Sequence, residues 1–531
     1  MGSSSTSALL SLLSILVLVP WATSASVEET FLQCLSLRSN PSSPISALVY
    51  SSNNSSYQSI YTSTIQNLRF LQSDTPKPLF IITPLNESHV QTAVICAKEN
   101  GLEIRIRGGG HDYEGLSYRA EVPFLIVDMS NLKTITVDIE DNSAWVQAGA
   151  TLGELYYRIA EKSNVHGFPG GVCHTVGVSG FLGGGGYGYM LRKYGLGADQ
   201  VIDAQMVDAN GQILNRETMG EDLFWAIRGG GAASFGIILR WKVKLVPVPP
   251  VVTIFNPSKT IEEGATKLVH RWQYIADKLH EDVFIRANLE LTNTSSGGKT
   301  IKVTFSSMFL GTIDTLLPLM NESFPELGLK REDCTEMSWI DAVKNLGGFP
   351  DSTVEVLLNR SLQSKSTYKM KSDYVKQPIP ESAFEGIWKR FLQVETPIMQ
   401  LNPYGARMSE ISESATPFPH RKGNIYKIQY LVYWQQNGTH DEETKRHINW
   451  IRELYKYMTP YVSKFPREAY LNYRDLDIGT NNRGNTSYAQ ASIWGRKYFK
   501  NNFDRLVYVK SKVDPGNFFR NEQSIPAVTA W

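Results

Sequence analysis

Two glycine-rich segments are the places in this 531-residue chain where residue types and spacing suggest chemistry. The first, Arg107-Gly108-Gly109-Gly110-His111-Asp112, follows the β-branched run EIRIR, and the second extends from Gly170 to Gly188 around Cys173. Glycine adopts positive φ and has no Cβ, so such segments allow backbone N–H groups to converge on an anion. The pattern indicates a cofactor that carries a pyrophosphate, with glycine-rich structural turns as the alternative.

Other interpretations of these glycines fit less well. Gly183-x-Gly185-x-x-Gly188 has the spacing of a dinucleotide fingerprint, but it stands in a continuous glycine run without the acidic residue expected after a second strand. Ser179 lacks the final glycine of a nucleophile elbow, which argues against a serine hydrolase. The chain contains neither Cys-x-x-Cys nor His-Glu-x-x-His, so a dedicated metal site has no support.

Composition points to a large, near-neutral globular enzyme. Lys and Arg number 53 against 52 Asp and Glu, which gives a formal charge of +1, and 42% of residues are hydrophobic. A nucleic-acid or polybasic membrane binder would concentrate basic residues, and no such run is present. The length suggests two or three domains with a substantial core.

An apolar run at residues 8–19, followed by small residues, predicts a cleaved secretory signal over residues 1–25. Eight glycosylation sequons support secretion to the extracellular space or a vacuole. Their asparagines are Asn53, Asn54, Asn86, Asn293, Asn321, Asn359, Asn437 and Asn485. No other stretch approaches 18 apolar residues, so we expect no stable membrane insertion.

Four cysteines in an oxidising compartment permit three pairings into two bridges. We predict a bridge between Cys34, near the mature start, and Cys96, on an amphipathic segment. It would close a loop of about 62 residues and contribute about 4 kcal/mol on the chain-entropy model. Cys173, among glycines, is left for chemistry.

The element pattern predicts an α+β chain. The first third alternates short strands with amphipathic helices, and VPVPPVV, ending at Val252, reads as a domain boundary. Longer strands beyond it predict an antiparallel sheet with helices on one face. The tail from Asn472 reads as loop-rich.

Four motifs together resemble the berberine bridge enzyme-like family of secreted plant flavoproteins with the vanillyl-alcohol-oxidase fold. They are Arg-Gly-Gly-Gly-His-Asp-Tyr-Glu-Gly from Arg107, Gly-Val-Cys-x-Thr-Val-Gly from Gly171, Asn-Tyr-Arg-Asp-Leu-Asp from Asn472, and Asp-Pro-x-Asn-Phe-Phe from Asp514. The resemblance implies FAD bonded twice to the protein, through His111 on the 8α-methyl group and Cys173 on C6.

The resemblance also implies a division of the chain: an FAD-binding domain over 26–250 (its PCMH-type part about 75–250), a substrate domain over 251–470, and a segment over 471–531 that returns to the FAD domain. The residues it assigns to FAD are Arg107, Gly108, Gly109, Gly110, His111, Asp112, Gly171, Val172, Cys173, Thr175, Val176, Gly177, Ser179, Gly180, Tyr187, Gly236, Tyr473 and Asn517.

The run NIYKIQYLVYW suggests how the substrate side is built. Strand alternation places Lys427 and Gln429 on one face and large apolar residues on the other. A solvated polar face is the simpler interpretation of the strand alone. The resemblance instead implies a polar lining of the kind found in family members that oxidise alcohols. Tyr113 and Tyr187 are expected nearby.

Tyr473, in the Asn-Tyr-Arg-Asp motif, matches the tyrosine base of several relatives. A phenol with a pKa near 10 is a poor base at neutral pH unless a cation lowers that pKa, and we expect Lys427 to be the cation. Tyr470 is a second choice for the base. Val176 resembles the pattern of members that react fast with O2.

These features predict a monomeric oxidase that passes a hydride from a small alcohol or phenolic metabolite to FAD, with O2 reduced to H2O2. Two alternatives stay open. One is an oxidative or non-redox cyclase of a prenylated phenolic or an alkaloid, and the other is a carbohydrate oxidase. An aromatic pocket would favour phenolics, and an open polar groove would favour sugars.

Overall fold

The computed structural model describes residues 26–294, 296–361, 365–435, 440–482 and 486–528. The predicted signal over 1–25 and the sequons at Asn437 and Asn485 lie outside them. The α-helices are α1 (Val27–Arg38), α2 (Tyr57–Ser63), α3 (Glu87–Glu99), α4 (Leu152–Ala160), α5 (Val178–Gly183), α6 (Leu191–Tyr194), α7 (Arg216–Ile227), α8 (Ala265–Trp272), α9 (Ile313–Ser323), α10 (Trp339–Leu346), α11 (Glu381–Phe391), α12 (Arg407–Glu410), α13 (His440–Tyr457), α14 (Tyr488–Phe499) and α15 (Asn502–Val513).

The strands follow the β-branched and aromatic runs of the sequence. They are β1 (Val49–Tyr50), β2 (Phe80–Ile82), β3 (Glu103–Arg107), β4 (Phe124–Asp128), β5 (Ile135–Asp138), β6 (Ser143–Gln147), β7 (His166–Gly167), β8 (Val201–Val207), β9 (Ile213–Leu214), β10 (Ile237–Lys244), β11 (Val246–Pro247), β12 (Val252–Phe255), β13 (Ser258–Thr260), β14 (Val283–Asn293), β15 (Lys299–Phe309), β16 (Cys334–Met337), β17 (Thr367–Val375), β18 (Pro397–Pro403) and β19 (Tyr426–Trp434).

Two sheets build the half of the molecule that carries the glycine segments. One has the order β1-β2-β4-β3, and its strands β2, β4 and β3 run parallel. The other is antiparallel, with the order β5-β6-β10-β8-β9. The parallel strands are buried, as expected where helices cover both faces. Strand β3 ends at Arg107 and delivers the first glycine segment to the edge of its sheet.

The Cys34–Cys96 disulfide is confirmed, and it joins α1 to α3. Cys173 and Cys334 carry free thiols.

Helix α3 begins at a side-chain cap from Asn86, whose own amide donates to Ser43. That sequon is therefore half-buried and already hydrogen-bonded. Asn53, Asn54, Asn293, Asn321 and Asn359 are exposed.

An eight-stranded antiparallel sheet forms the second half, with the order β16-β12-β15-β14-β18-β19-β17 and β13 paired to β15. One face packs against α8, α11 and α13 in a single apolar cluster that includes Tyr426, Ile428, Tyr430 and Val432. The other face turns toward the glycine segments. The α+β class and the antiparallel sheet with helices on one face are confirmed.

The tail differs from the expectation of a loop-rich segment. Residues 488–513 form α14 and α15, whose apolar faces pack into the core of the first half. The pattern was missed because lysines, arginines and glycine interrupt the apolar periodicity. Lys510, fully buried, donates to the carbonyl groups of Ser234 and Phe519 and to Asp514, which fixes the chain end to the first half.

None of the helices in the described ranges combines the length and the apolar character that a bilayer span requires.

Candidate active site

A cavity of about 760 Å³ lies between the glycine segments and the eight-stranded sheet. Both segments line one side, and side chains of β14, β17, β18 and β19 line the other. Residues 470–474 and 520–521 complete the wall. The predicted residues that line it are Gly108, Gly109, Gly110, His111, Asp112, Tyr113, Gly171, Val172, Cys173, Val176, Gly177, Ser179, Gly180, Tyr187, Gly236, Gln429, Tyr470 and Tyr473.

The two glycine segments touch backbone to backbone, which explains why they need glycine. A Cβ on Gly109 would lie 2.5 Å from the backbone nitrogen of Gly177, and one on Gly177 would lie 2.6 Å from that of Gly109. Real Cβ atoms do not approach so closely. The contact brings the loop after β3 against the loop before α5, and so places His111 beside Cys173.

His111 and Cys173 meet at one hydroxyl group. His111 Nε2 is 2.9 Å from Thr175 Oγ1, and Cys173 Sγ is 3.7 Å from the same atom. Burial, with the nearby His174, lowers the pKa of His111 to about 4, so its imidazole is neutral and nucleophilic at physiological pH. Burial raises the pKa of the Cys173 thiol, and its sulfur is open to the cavity.

Across the cavity, three tyrosines surround a buried lysine. The hydroxyl groups of Tyr187 and Tyr473 share a hydrogen bond, and the Tyr470 hydroxyl accepts one from the Gly186 backbone at 2.9 Å. Lys427 Nζ lies 3.3, 3.8 and 4.7 Å from the ring centroids of Tyr187, Tyr470 and Tyr473. It has no hydrogen-bond partner among the described residues. Lys427 is thus behind the rings and does not line the cavity itself.

The wall next to Tyr473 is aromatic and apolar. Gln429 Nε2 donates to the Tyr113 hydroxyl at 2.8 Å, and the Tyr113 ring stacks on Tyr473 with centroids 5.6 Å apart. The aromatic surface continues to Tyr368, whose centroid is 5.9 Å from that of Tyr113, and then to Tyr433, whose centroid is 5.7 Å from that of Tyr368. Met370 and Leu431 fill the space between them.

Comparison with known proteins shows the family to which the chain belongs. The FAD binding domain model matches residues 78–216, and the berberine and berberine-like model matches residues 469–526. A tetrahydroberberine oxidase of Berberis wilsoniae is 57% identical over 530 residues, covering 99% of this chain and 98% of that protein. The chain belongs to the berberine bridge enzyme-like family. As a member of that family it is an FAD-dependent oxidoreductase with a PCMH-type FAD-binding fold.

Family members of different activity are similar to this chain. A monolignol oxidoreductase of Arabidopsis thaliana is 51% identical over 509 residues, covering 94% of each chain. The crystal structure of Phl p 4, a grass pollen allergen with glucose dehydrogenase activity, superposes with a TM-score of 0.88 at 47% identity. It covers 94% of this chain and 99% of that one. Family membership alone therefore leaves the substrate open.

The cavity fits FAD. Glycines of both segments line the cavity with backbone alone, and the neutral His111 and the open Cys173 sulfur line the same space. Arg105, Arg520 and Asn521, which the sequence did not single out, also line the cavity. They carry donors suited to phosphate and ribose oxygens.

Three residues predicted to touch FAD do not line the cavity. Arg107 is fully buried, donates to Asp128 and to the carbonyl groups of Ile60 and Tyr61, and so anchors the end of β3 instead. Thr175 lies behind His111 and Cys173. The Asn517 side-chain oxygen is buried without a partner among the described residues.

The structure differs from the expectation that Lys427 lowers the pKa of Tyr473. Burial raises the pKa of Tyr473 well above its usual value, and Tyr187 and Tyr113 raise it further. The cation that opposes this rise is Arg286, on β14. Burial lowers the pKa of Lys427 well below its usual value, and the charge of Arg286 lowers it further. Arg286 is therefore the charged side chain at this end of the cavity, while the Lys427 amine, whose charge burial disfavours, lies behind the tyrosine rings.

Arg286 was missed at the level of sequence. Its Nε donates to Asn402 Oδ1 at 2.6 Å, and it is 8% exposed. The signal was available, because an arginine interrupts the apolar start of VFIRANLELT. An arginine in the middle of a buried strand requires a polar partner or a cavity.

A buried ionic network holds the Tyr473 loop in place; we call Glu114, Lys369, Lys371, Asp475 and Asp477 the interdomain network. Lys369 binds Glu114 and lies 2.8 Å from Asp475, while Lys371 lies 2.5 Å from Asp475 and 2.8 Å from Asp477. Glu114 belongs to the His111 loop, the lysines to β17, and the aspartates to the segment after Tyr473. The network thus joins the three parts of the chain that build the cavity.

Proposed function

We propose that this protein is a secreted oxidase that removes a hydride from the carbinol carbon of an aromatic alcohol and passes the electrons to O2, forming H2O2. FAD, bonded to both His111 and Cys173, would supply the hydride acceptor. The observation that carries the proposal is the hydrogen-bonded pair of hydroxyl groups of Tyr187 and Tyr473 in the cavity wall, next to the Gln429–Tyr113 hydrogen bond.

The chain's own groups account for the movement of the proton. Tyr473 removes the hydroxyl proton of the alcohol, and the Tyr187 hydroxyl shares the resulting charge. Arg286 favours the deprotonated tyrosine pair, against the cost of its burial. Gln429 and Tyr113 orient the alcohol.

The shape and charge of the wall support an aromatic alcohol. Tyr113, Tyr368 and Tyr433 offer ring faces to a planar substrate, and Met370 and Leu431 offer apolar contact. A wall of this kind gives a sugar few hydrogen-bonding groups. Arg286 repels a protonated amine, which places an alcohol ahead of a basic alkaloid.

A second candidate is dehydrogenation of a cyclic benzylic amine. The 57% identity to a tetrahydroberberine oxidase favours it, and the same aromatic wall accepts such a ring system. The amine would have to bind as the free base, because Arg286 disfavours its protonated form. Its rate should therefore rise with pH more steeply than that of an alcohol.

Anaerobic mixing of the purified yellow protein with candidate substrates tests the proposal. We expect monolignol-type alcohols to bleach the flavin absorbance, and one H2O2 to form per aldehyde when air is admitted. Bleaching by glucose or oligosaccharides alone would contradict the aromatic-alcohol assignment. Substrate conversion without bleaching would indicate non-redox cyclisation instead.

We further propose that the chain is secreted, glycosylated and monomeric. The apolar run before residue 20, the exposed sequon asparagines and the disulfide support an extracellular or vacuolar protein. A glycosidase-sensitive mass and an elution volume near that of a 59.6 kDa chain would agree with this. Retention of an uncleaved N-terminus inside the cell would contradict it.

Replacement of Val176 with Leu should slow reoxidation of the flavin by air. Val176 lines the cavity beside Cys173, and leucine adds one methylene where we expect O2 to approach. We expect the reoxidation rate to fall about tenfold or more, equivalent to about 1.4 kcal/mol, with anaerobic reduction unchanged. Stopped-flow measurement of both half-reactions checks this. Equal reoxidation rates in Val176→Ala, Val176→Leu and the wild type would remove Val176 from the oxygen path.

Replacement of Arg286 with Met should move the pH profile of kcat/KM. Arg286 opposes the rise in the pKa of Tyr473, so its removal should shift the rising limb to higher pH by about one unit. Lys302→Met, on the neighbouring strand and paired with the surface residue Glu290, is the matched control and should leave the profile in place. A shift of equal size in both variants would point to a general effect of charge.

A further inference from the structure

Thr175 contacts both of the residues proposed to hold the cofactor, although it does not line the cavity. Its Oγ1 lies between His111 Nε2 at 2.9 Å and Cys173 Sγ at 3.7 Å, and the residue is 2% exposed. We infer that Thr175 is a positioning residue for covalent attachment of the cofactor: its hydroxyl group accepts a hydrogen bond from His111 and donates one to the sulfur of Cys173. This inference rests on the proposed attachment through both residues.

The hydrogen bond to His111 involves the ring nitrogen that faces Thr175. Burial lowers the pKa of His111 more than the Thr175 backbone raises it, so the imidazole is neutral and carries one hydrogen. In the arrangement we infer, that hydrogen is on Nε2, which lies 2.9 Å from Thr175 Oγ1, and Nδ1 holds the free lone pair. The close approach of Gly109 to the Thr175 carbonyl keeps the His111 loop in this position.

The direction of the hydrogen bond between Thr175 and Cys173 follows from that of the hydrogen bond to His111. Because Thr175 Oγ1 accepts from Nε2–H, its own hydrogen is free to point at the sulfur. This hydroxyl group, with the backbone of Thr175 and Val176, lowers the pKa of the thiol against the larger effect of burial. One orientation of one hydroxyl group therefore leaves a lone pair on Nδ1 and offsets part of the cost of forming a thiolate at Cys173.

The chemistry of attachment shows what these protons do. At each site a flavin C–H bond is replaced by a C–N or C–S bond, and one hydrogen leaves as a proton from the carbon and one from the imidazole or the thiol. Two electrons remain on the flavin ring and pass to O2, which is reduced to H2O2. Thr175 holds the departing Nε2 proton and stabilises the anionic sulfur before the C–S bond forms.

Thr175→Val, which keeps the branched shape and removes the hydroxyl group, tests the inference, with Thr175→Ser as the control that keeps it. Each purified protein is incubated in air, and peptide mass spectrometry follows the linked fraction at His111 and at Cys173 over time. In Thr175→Val we expect attachment at Cys173 to slow about tenfold, because the hydroxyl group that lowers the thiol pKa is lost. Attachment at His111 should slow less, because the Thr175 backbone still acts on the imidazole. Thr175→Ser should restore both.

Two results would overturn the inference. One is attachment in Thr175→Val at the wild-type rate at both sites. The other is an equal loss at both sites together with a lower melting temperature, since lost packing would then suffice. If Thr175→Val is not secreted, Thr175→Ala against Thr175→Ser isolates the same hydroxyl group. Unmodified His111 and Cys173 peptides in the wild type would instead refute the covalent attachment itself, whatever Thr175 does.

Discussion

Tyr473→Phe should lower the rate of anaerobic flavin reduction by about 10³-fold with little change in substrate affinity. The variant loses the hydroxyl group that removes the substrate proton, and general-base catalysis commonly contributes 10²–10⁴-fold. The phenylalanine ring keeps the stacking contact with Tyr113 and its place over Lys427, so the substrate wall is preserved. Stopped-flow reduction across a range of substrate concentrations separates the limiting rate from the apparent dissociation constant.

Tyr470→Phe is the matched control for this prediction. The Tyr470 hydroxyl bonds to the Gly186 backbone and to Asn472, while its ring shares the same lysine. We expect its loss to cost less than tenfold, because Tyr470 positions the glycine segment and the Tyr473 loop and does not pair with Tyr187. A larger loss in Tyr470→Phe than in Tyr473→Phe would transfer the role of base to Tyr470.

Asp475→Asn should destabilise the protein by about 3–5 kcal/mol, the usual result of removing one partner from a buried ion pair. The change leaves Lys369 and Lys371, both almost fully buried, without the carboxylate that they share. Lys302→Met, which breaks an exposed pair with Glu290, should cost less than about 1 kcal/mol. Denaturant unfolding followed by tryptophan fluorescence compares the two variants. A loss below 1 kcal/mol in Asp475→Asn would contradict the role of the network.

The network also fixes how stability depends on pH. For Asp475 and Asp477, burial acts to raise each pKa, but Lys369, Lys371 and, at Asp477, Arg452 leave both pKa values below the usual range. A carboxyl group whose pKa is lower in the folded protein than in the unfolded chain, where it is near 3.9, stabilises the fold at pH values above 3.9. It loses this contribution as the pH falls through its pKa in the folded protein. We therefore expect the network to keep its full contribution down to about pH 4, and Asp475→Asn to weaken the pH dependence below that point.

The sequence was most informative where chemistry and periodicity coincide in a short segment. The glycines around His111 and Cys173 indicated close backbone approach, and the structure places the two segments in contact. The alternation in NIYKIQYLVYW put Lys427 and Gln429 on the face opposite the apolar cluster, as the register of β19 has it. Strand alternation is a local property, so one segment is enough to read it.

The sequence was least informative where partners lie far apart along the chain. Lys369 and Lys371 alternate with apolar residues in β17, and Asp475 and Asp477 have the same spacing of two. That match is visible only once the fold sets the two segments side by side. Arg286 is similar, because its influence on Tyr473 depends on the packing of β14 against a loop almost 190 positions later. Burial of charge is decided by such distant partners and not by local pattern.

The end of the chain has a consequence for biosynthesis. Arg520 bonds to Glu103, Arg105 bonds to the Arg520 carbonyl group, and Lys510 ties the last helix to Ser234. The cofactor cavity therefore acquires its final wall only after residues 520–521 have been translated, although most of its lining is translated much earlier. Stop codons that remove residues 517 onward should yield polypeptides that bind no flavin and emerge colourless.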